Sequence, residues 1–237
     1  MMDTLDLLRT NAPLLLIGLR STLYLAAVTL LASTAIGVFF GTLATLKPRW
    51  IRTLSALYVE VFRDIPLIVT IFAIFFGAPA LGIPLEPFPA VALGLSLWGG
   101  ANGAEIVRGG LQSIPHGQRE AATALGLRLW KIYLLILWPQ ALRAMLPAFT
   151  GLLALIIQST SLGALVGVTE FLKAGGLIIE TSTVMRGVNP AFGIYAFVLL
   201  VYFAICSVLT WLSRRLERRL SLRGGGHAVR APDAAGV

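Results

Sequence analysis

Charge, cysteine and histidine are all scarce in this chain. Only 13% of its 237 residues are charged, where an ordinary soluble domain carries about 25%. Hydrophobic residues make up 57%, and mean hydropathy is +0.84. The deficit of charge excludes an ordinary soluble globule and points to one membrane-integral domain. A single cysteine, Cys206, excludes an internal disulfide and a cysteine metal cluster. It lies in an apolar run and reads as a small core hydrophobe. The two histidines, His116 and His227, have no acidic partner nearby in sequence, so neither a metal site nor an enzyme centre is expected. No Gly-x-x-x-x-Gly-Lys-Ser/Thr loop is present, so any ATP must be bound by another polypeptide. The start, Met1-Met2-Asp3-Thr4 with Asp6 behind it, lacks a positive n-region. No cleavable signal peptide is therefore expected. The net charge of +8 is not laid out as a nucleic-acid patch, because the basic residues gather at the ends of apolar runs.

What the chain does have is apolar runs long enough to cross a bilayer, which takes about 20 residues. Ser21–Leu46 is uncharged and forms the first expected span. Leu54–Phe76 is the second, interrupted by Glu60, Arg63, Asp64 and Pro66. Ala90–Val107 is the third, rich in glycine at Gly99, Gly100 and Gly103. The apolar stretch from Ile132 to Val168 is too long for one straight span. Pro139 and Pro147 divide it, which places the fourth span near Leu142–Thr160. Glu170–Asn189 reads as a mixed loop, and Pro190–Ser213 as the fifth span. Lys47, Arg49 and Arg52, then Arg119, Arg128 and Lys131, then Arg214, Arg215, Arg218, Arg219 and Arg223 fall on alternate connections. By the positive-inside rule those connections are cytoplasmic. The N-terminus is then outside and the C-terminus inside. The expected organisation is a periplasmic segment 1–20, a transmembrane domain 21–213 with a polar loop 112–138, and a basic cytoplasmic end 214–237. The stretch after Arg223 has no apolar periodicity and reads as a disordered tail.

The polar loop is the most specific segment. Gln118-Arg119-Glu120 gives a short helix an acidic first turn, favourable to the helix dipole. Ala121, Ala122 and Ala124 make a face small enough for another protein to approach closely, and Gly126 stops the helix. Taken by itself, such a helix also fits an amphipathic helix lying on the membrane. The pattern Gly117-Gln-x-Glu-Ala-Ala-x-x-Leu-Gly126, continued by Leu137-x-Pro139-Gln-Ala-Leu-Arg143, resembles the EAA loop of bacterial ABC importer permeases.

Neighbouring motifs extend the resemblance over roughly Thr22 to Arg219. Tyr58-Val-Glu-Val-Phe-Arg-Asp-Ile-Pro66-Leu, Ala104-Glu-Ile-Val-Arg-Gly-Gly110, Ser159-Thr-Ser-Leu162 and Val166-Gly-Val-Thr-Glu170 are similar to motifs of the polar amino acid branch. That branch includes histidine, glutamine, glutamate and arginine permeases. The resemblance implies an all-α type I importer permease fold in a bacterial inner membrane. It implies a second permease copy or sister permease, a pair of ATPase subunits carrying the ATP and magnesium, and a periplasmic substrate-binding protein. It assigns ATPase coupling to Gly117, Gln118, Glu120, Ala121, Ala122, Gly126 and Pro139. The chain departs from the branch at Gln158-Ser-Thr-Ser161, where Lys-Asp-Thr-Ser is common. The missing acid favours a neutral or acidic amino acid over a cationic one.

Charges inside a membrane are functional candidates because they are costly there. Glu60 and Arg63 share a helix face and can neutralise each other or meet an amino acid's two charged groups. Arg63 suits the carboxylate, since its guanidinium pairs bidentately. Asp64 before Ile65-Pro66 fits a helix break. Glu105 and Arg108, also three apart, read as a local ion pair bracing the polar loop. Trp98, Asn102 and Ser159 complete the expected substrate pathway. Gly99, Gly100 and Gly103 either let the helix unwind around a ligand or let helices pack closely. An ion-coupled secondary transporter or a channel is the alternative function. Such transporters usually carry inverted repeats, which five spans cannot form in equal halves, and a channel gives no reason for the polar loop.

Overall fold

The structure is a computed structural model that describes residues 4–221, with side chains described to Arg215. The tail after Arg223, with His227, lies outside the described residues, as do Met1, Met2 and Asp3. Every regular element among the described residues is helical.

Helix α1, Thr4–Thr10, is short and leads through Asn11 into α2, Ala12–Leu43. The first span therefore begins well before Ser21, and Ala12–Arg20 is not a separate segment. Pro13 starts the helix where its missing N–H costs nothing. At 32 residues α2 is about 48 Å long, longer than the roughly 30 Å hydrocarbon layer. Apart from Leu15 and Leu25, its buried residues are small: Gly18, Thr22, Ala26, Thr29, Ser33, Gly37 and Gly41. A Cβ on Gly37 would stand 2.9 Å from the backbone of Gly103. The two backbones therefore nearly touch.

The partner at that contact is α5, Pro87–Gln112, which also packs on α8. It stays a regular helix through Gly99, Gly100 and Gly103. Close packing, not unwinding, is what those glycines permit here. A Cβ on Gly100 would fall 2.8 Å from the Tyr58 hydroxyl.

The second expected span is two helices, α3 (Arg49–Asp64) and α4 (Leu67–Gly77), with a bend of 97° between α3 and the helical stretch through Leu81. Ile65 is extended, at φ −73° and ψ 128°, as the residue before a proline prefers. Asp64 is thus the last residue before the break that the sequence placed there.

Helix α6, His116–Ala124, is followed by α7, Leu129–Ile132. From α7 a π-helical turn at Tyr133–Leu137 leads into α8, Trp138–Ser159, so one apolar stretch runs unbroken from Leu129 to Val166. Pro139 and Pro147 do not divide it. The wider turn precedes Pro139, which then takes a position near the start of α8, where a proline is tolerated. A 3₁₀ turn, Thr160–Val166, closes this unit.

Glu170–Asn189 is not a loop. It holds α9, Phe171–Arg186, before the last helix α10, Ala191–Ser221. Phe171, Ala174, Gly175, Ile178 and Ser182 face inward. Phe171, Ala174 and Ile178 join a core with Leu15, Ile194 and Val198 from α2 and α10. Three stretches, Ala12–Leu43, Leu129–Val166 and Ala191–Arg215, are long and apolar enough to cross a membrane among the described residues. Counting the bent α3–α4 pair as one span gives up to four, and the central helix α5 packs among them in an all-α membrane architecture.

Candidate functional site

Helix α6 begins at His116, two residues earlier than the sequence suggested, with extended Pro115 ahead of it. Glu120 therefore lies in the second turn, and the first turn has no acid. The end of the helix is fully determined. Gly126 takes φ +72°, the Gly126 amide donates to Thr123 O (2.9 Å) and the Leu127 amide donates to Ala122 O (3.1 Å). These two bonds form a Schellman cap, which favours glycine at that position. Ala122 and Leu127 pack into a core with Val107, Tyr133 and Met145.

With Arg119 partly buried beside that seat, the other residues of α6 are left free. Gly117, Gln118, Glu120, Ala121 and Ala124 are exposed, and Leu125 is 80% exposed. A Cβ on Gly117 would meet nothing within 4 Å. Gly117, Ala121 and Ala124 share a side of the helix by their spacing. Of the coupling residues named from sequence, Ala122 is therefore an anchor and not a contact surface. Pro139 is exposed at the start of α8, away from α6 in sequence.

The charged residues group differently from the sequence expectation. Glu60 is exposed and forms no ion pair with Arg63 among the described residues. Arg63 instead reaches across to α5, its Nη1 standing 4.0 Å from Glu105 Oε2. Glu105 is the shared acid. Arg108 Nη2 and Nε donate to its two oxygens at 2.6 and 3.0 Å, and Arg108 Nη1 donates to Gln112 at 2.9 Å. The bidentate geometry is the strong form of such a contact. The expected Glu105–Arg108 pair is present within α5, and the Arg63–Glu105 contact links it to the end of α3 near the 97° bend.

The remaining pathway residues are spread along the helices. Asn102 donates to Trp98 O at 2.9 Å, within α5. Trp98 is packed against the core of Leu152 and Ile156. Ser159 ends α8, and its neighbours Gln158 and Ser161 line a cavity of about 350 Å³ with Tyr195 and Tyr202. Gln158 Nε2 also lies 3.6 Å from Cys206 Sγ, which is partly buried as a free thiol.

Glu170 was missed as a site of its own. It is 0% exposed and caps α9: the amides of Leu172 and Lys173 donate to it at 2.9 and 2.7 Å. Tyr202 donates its hydroxyl to Glu170 at 2.8 Å, and the Phe171 amide donates to Thr22 at 3.0 Å. This knot fastens α2, α9 and α10 together. The signal in sequence was an acid placed just before an inward-facing i, i+3, i+4, i+7 pattern from Phe171.

Comparison with known proteins agrees with this architecture. Residues 33–222 match the model of the family described as "binding-protein-dependent transport system inner membrane component". The glutamine transport system permease protein GlnP of Escherichia coli is 35% identical over 213 residues, 89% of this chain and 94% of that protein. The probable amino-acid ABC transporter permease protein YckA of Bacillus subtilis is 32% identical over 211 residues, 87% of this chain and 89% of that protein. A solved structure titled "Crystal structure of an amino acid ABC transporter with histidines" superposes with a TM-score of 0.81 at 26% identity, over 92% of this chain and 99% of that one. The sequence motifs, the helical architecture and these matches converge: the chain belongs to the binding-protein-dependent transport system inner membrane component family, whose members are membrane-embedded transport subunits.

Proposed function

We propose that this chain is the permease subunit of an ATP-binding-cassette importer for a polar amino acid. The observation that carries the reading is α6. It is a short helix with a rigid glycine cap, seated through Ala122, that presents Gly117, Gln118, Glu120, Ala121 and Ala124 outward. A face of small residues lets another protein approach closely, and the EAA-like pattern lies on it. The occupant in this reading is a cytoplasmic ATPase that carries the ATP and magnesium, since the chain has no P-loop.

The chain lies in the bacterial cytoplasmic membrane with its N-terminus outside and its C-terminus inside. It pairs with a second permease and receives substrate from a periplasmic binding protein. ATP binding closes the two ATPase subunits, the α6 helices move with them, and the spans rock between inward-open and outward-open states. The binding protein must favour one of those states to bias the cycle. Arg63, half-exposed near the bend, meets the substrate carboxylate, while Glu60, Trp98, Asn102 and Ser159 line the pathway. The absence of an acid at Gln158-Ser159 favours a neutral or acidic amino acid.

The test is uptake into proteoliposomes holding the permease, its ATPase and its binding protein, across a panel of amino acids. ATP-dependent uptake of neutral or acidic amino acids is expected. ATP-independent uptake driven by an ion gradient would replace this reading with a secondary transporter.

A further inference from the structure

A cavity of about 170 Å³ lies where the end of α2 meets the start of α3 and the start of α6. Its polar lining includes Arg52, Arg119, His116 and Gln112, and no acidic residue lines it. Arg119 Nη2 is shut off from solvent and has no hydrogen-bond partner among the described residues. The two hydroxyls there are satisfied. Thr45 and Tyr133 share a hydroxyl–hydroxyl contact of 2.8 Å, and Tyr133 also donates to Thr45 O at 3.2 Å. The Arg119 guanidinium stands 5.9 Å from the Tyr133 ring centre, at the outer limit of a cation–π contact. A guanidinium is always charged, so a buried, unpaired N–H on it is costly.

The acid of the adjoining cavity is Glu105, which lines it together with Arg52 and Arg108, and Arg108 holds it bidentately. Neither Arg52 nor Arg119 forms an ion pair with a carboxylate among the described residues. The wall also includes Pro115 and His116, at the positive end of α6, where backbone N–H groups lack helical partners. Two arginines, a histidine and a helix start around one small cavity call for a compact oxyanion.

We infer that this cavity is a phosphate-binding site, contacted by Arg119 from α6 and Arg52 from α3, and that it takes the headgroup phosphate of an anionic phospholipid or a free phosphate. The lipid source fits the level of the site. Ala44 and Thr45, at the end of the α2 span, line the cavity. Trp50 and Trp130, close in sequence to Arg52 and Tyr133, are 67% and 57% exposed, as interfacial tryptophans are. Basic pockets at the ends of spans hold lipid headgroups by the same chemistry. Occupation would fasten α6 to the α2–α3 elbow.

The experiment uses the full-length chain in detergent, with thermal unfolding followed by tryptophan fluorescence. It is titrated separately with phosphatidylglycerol and with inorganic phosphate. A saturable rise in Tm is expected, with the apparent Kd weakened at least tenfold by Arg119→Gln and by Arg52→Gln, since each removes a charged hydrogen-bond donor. Arg143→Gln, exposed on α8 away from the cavity, should leave it unchanged. A response to the lipid alone identifies the headgroup as the source, and a response to inorganic phosphate identifies the free anion. If Arg119→Gln does not yield folded protein, Arg52→Gln on α3 decides. No saturable response to either probe, a response that Arg52→Gln leaves intact, or one that Arg143→Gln weakens equally would overturn the site.

Discussion

Helices α6 and α9 are the two short helices that sit between spans, and they are built in opposite ways. The first half of helix α9 is an interior part. It turns Phe171, Ala174 and Ile178 into a core and is capped by a fully buried Glu170 with three donors. Helix α6 is a surface part, seated through Ala122, with a closed cap at an exposed Gly126 and a small-residue face toward solvent. The difference separates two uses of polar residues. In α9 the acid is consumed by the fold, and no bonding capacity is left for a partner. In α6 the side of Gly117, Ala121 and Ala124 has no use inside the chain, which suits a docking surface.

The largest effect should come from breaking the α9 end. Glu170→Ala leaves the amides of Leu172 and Lys173 and the Tyr202 hydroxyl unpaired in a dry site and removes the helix cap. The expected loss is about 3–5 kcal/mol, read as a fall in Tm or in the monodisperse fraction in detergent. Glu170→Gln should lose less, because an amide oxygen still accepts.

Overpacking the same region comes next. On Gly18 of α2 a Cβ would lie 2.7 Å from Ala174 Cβ and 3.0 Å from Glu170 O. Gly18→Ala should therefore cost about 1–3 kcal/mol. Gly109→Ala, where a Cβ meets nothing within 4 Å, should be neutral or stabilise by about 0.5–1 kcal/mol. The pair measured side by side in thermal unfolding tests whether contact, and not helix propensity, sets the cost.

At α6 the expected order of effects reverses between stability and function. At Gly126 a Cβ would meet nothing within 4 Å, but Gly126→Val must adopt φ +72°, which costs about 1–2 kcal/mol. Glu120→Lys changes an exposed side chain and should alter stability by less than about 0.5 kcal/mol. Both should nonetheless lower ATP-driven uptake at least tenfold. Stable Glu120→Lys protein with normal uptake would erase the contrast between the two helices.

Much of this was legible in the sequence, and the exceptions have physical causes. The apolar runs and the Glu105–Arg108 pair follow from helical spacing, and the α6 stop follows from Gly126. Helix α9 was hidden because Glu170, Lys173, Glu180 and Arg186 lower its hydropathy, although Phe171, Ala174 and Ile178 keep the helical period. The partner of Arg63 could not be read locally. Glu60 lies one turn away on the same helix, but Glu105 on α5 is brought near by the packing of α3. Pro139 looked like a break because a π-helical turn, which absorbs it, leaves no clear sequence mark.

The contrast between α6 and α9 is tested most directly by cross-linking in the assembled transporter. With Cys206 replaced by serine, single changes Ala121→Cys and Glu180→Cys place one thiol on the exposed face of each helix. Each is treated with a short bifunctional thiol reagent in membranes that also carry the ATPase. Cross-linking of the ATPase from position 121 and none from position 180 is the predicted result. A cross-link from position 180 with none from 121 would contradict the assignment of α6 as the docking helix.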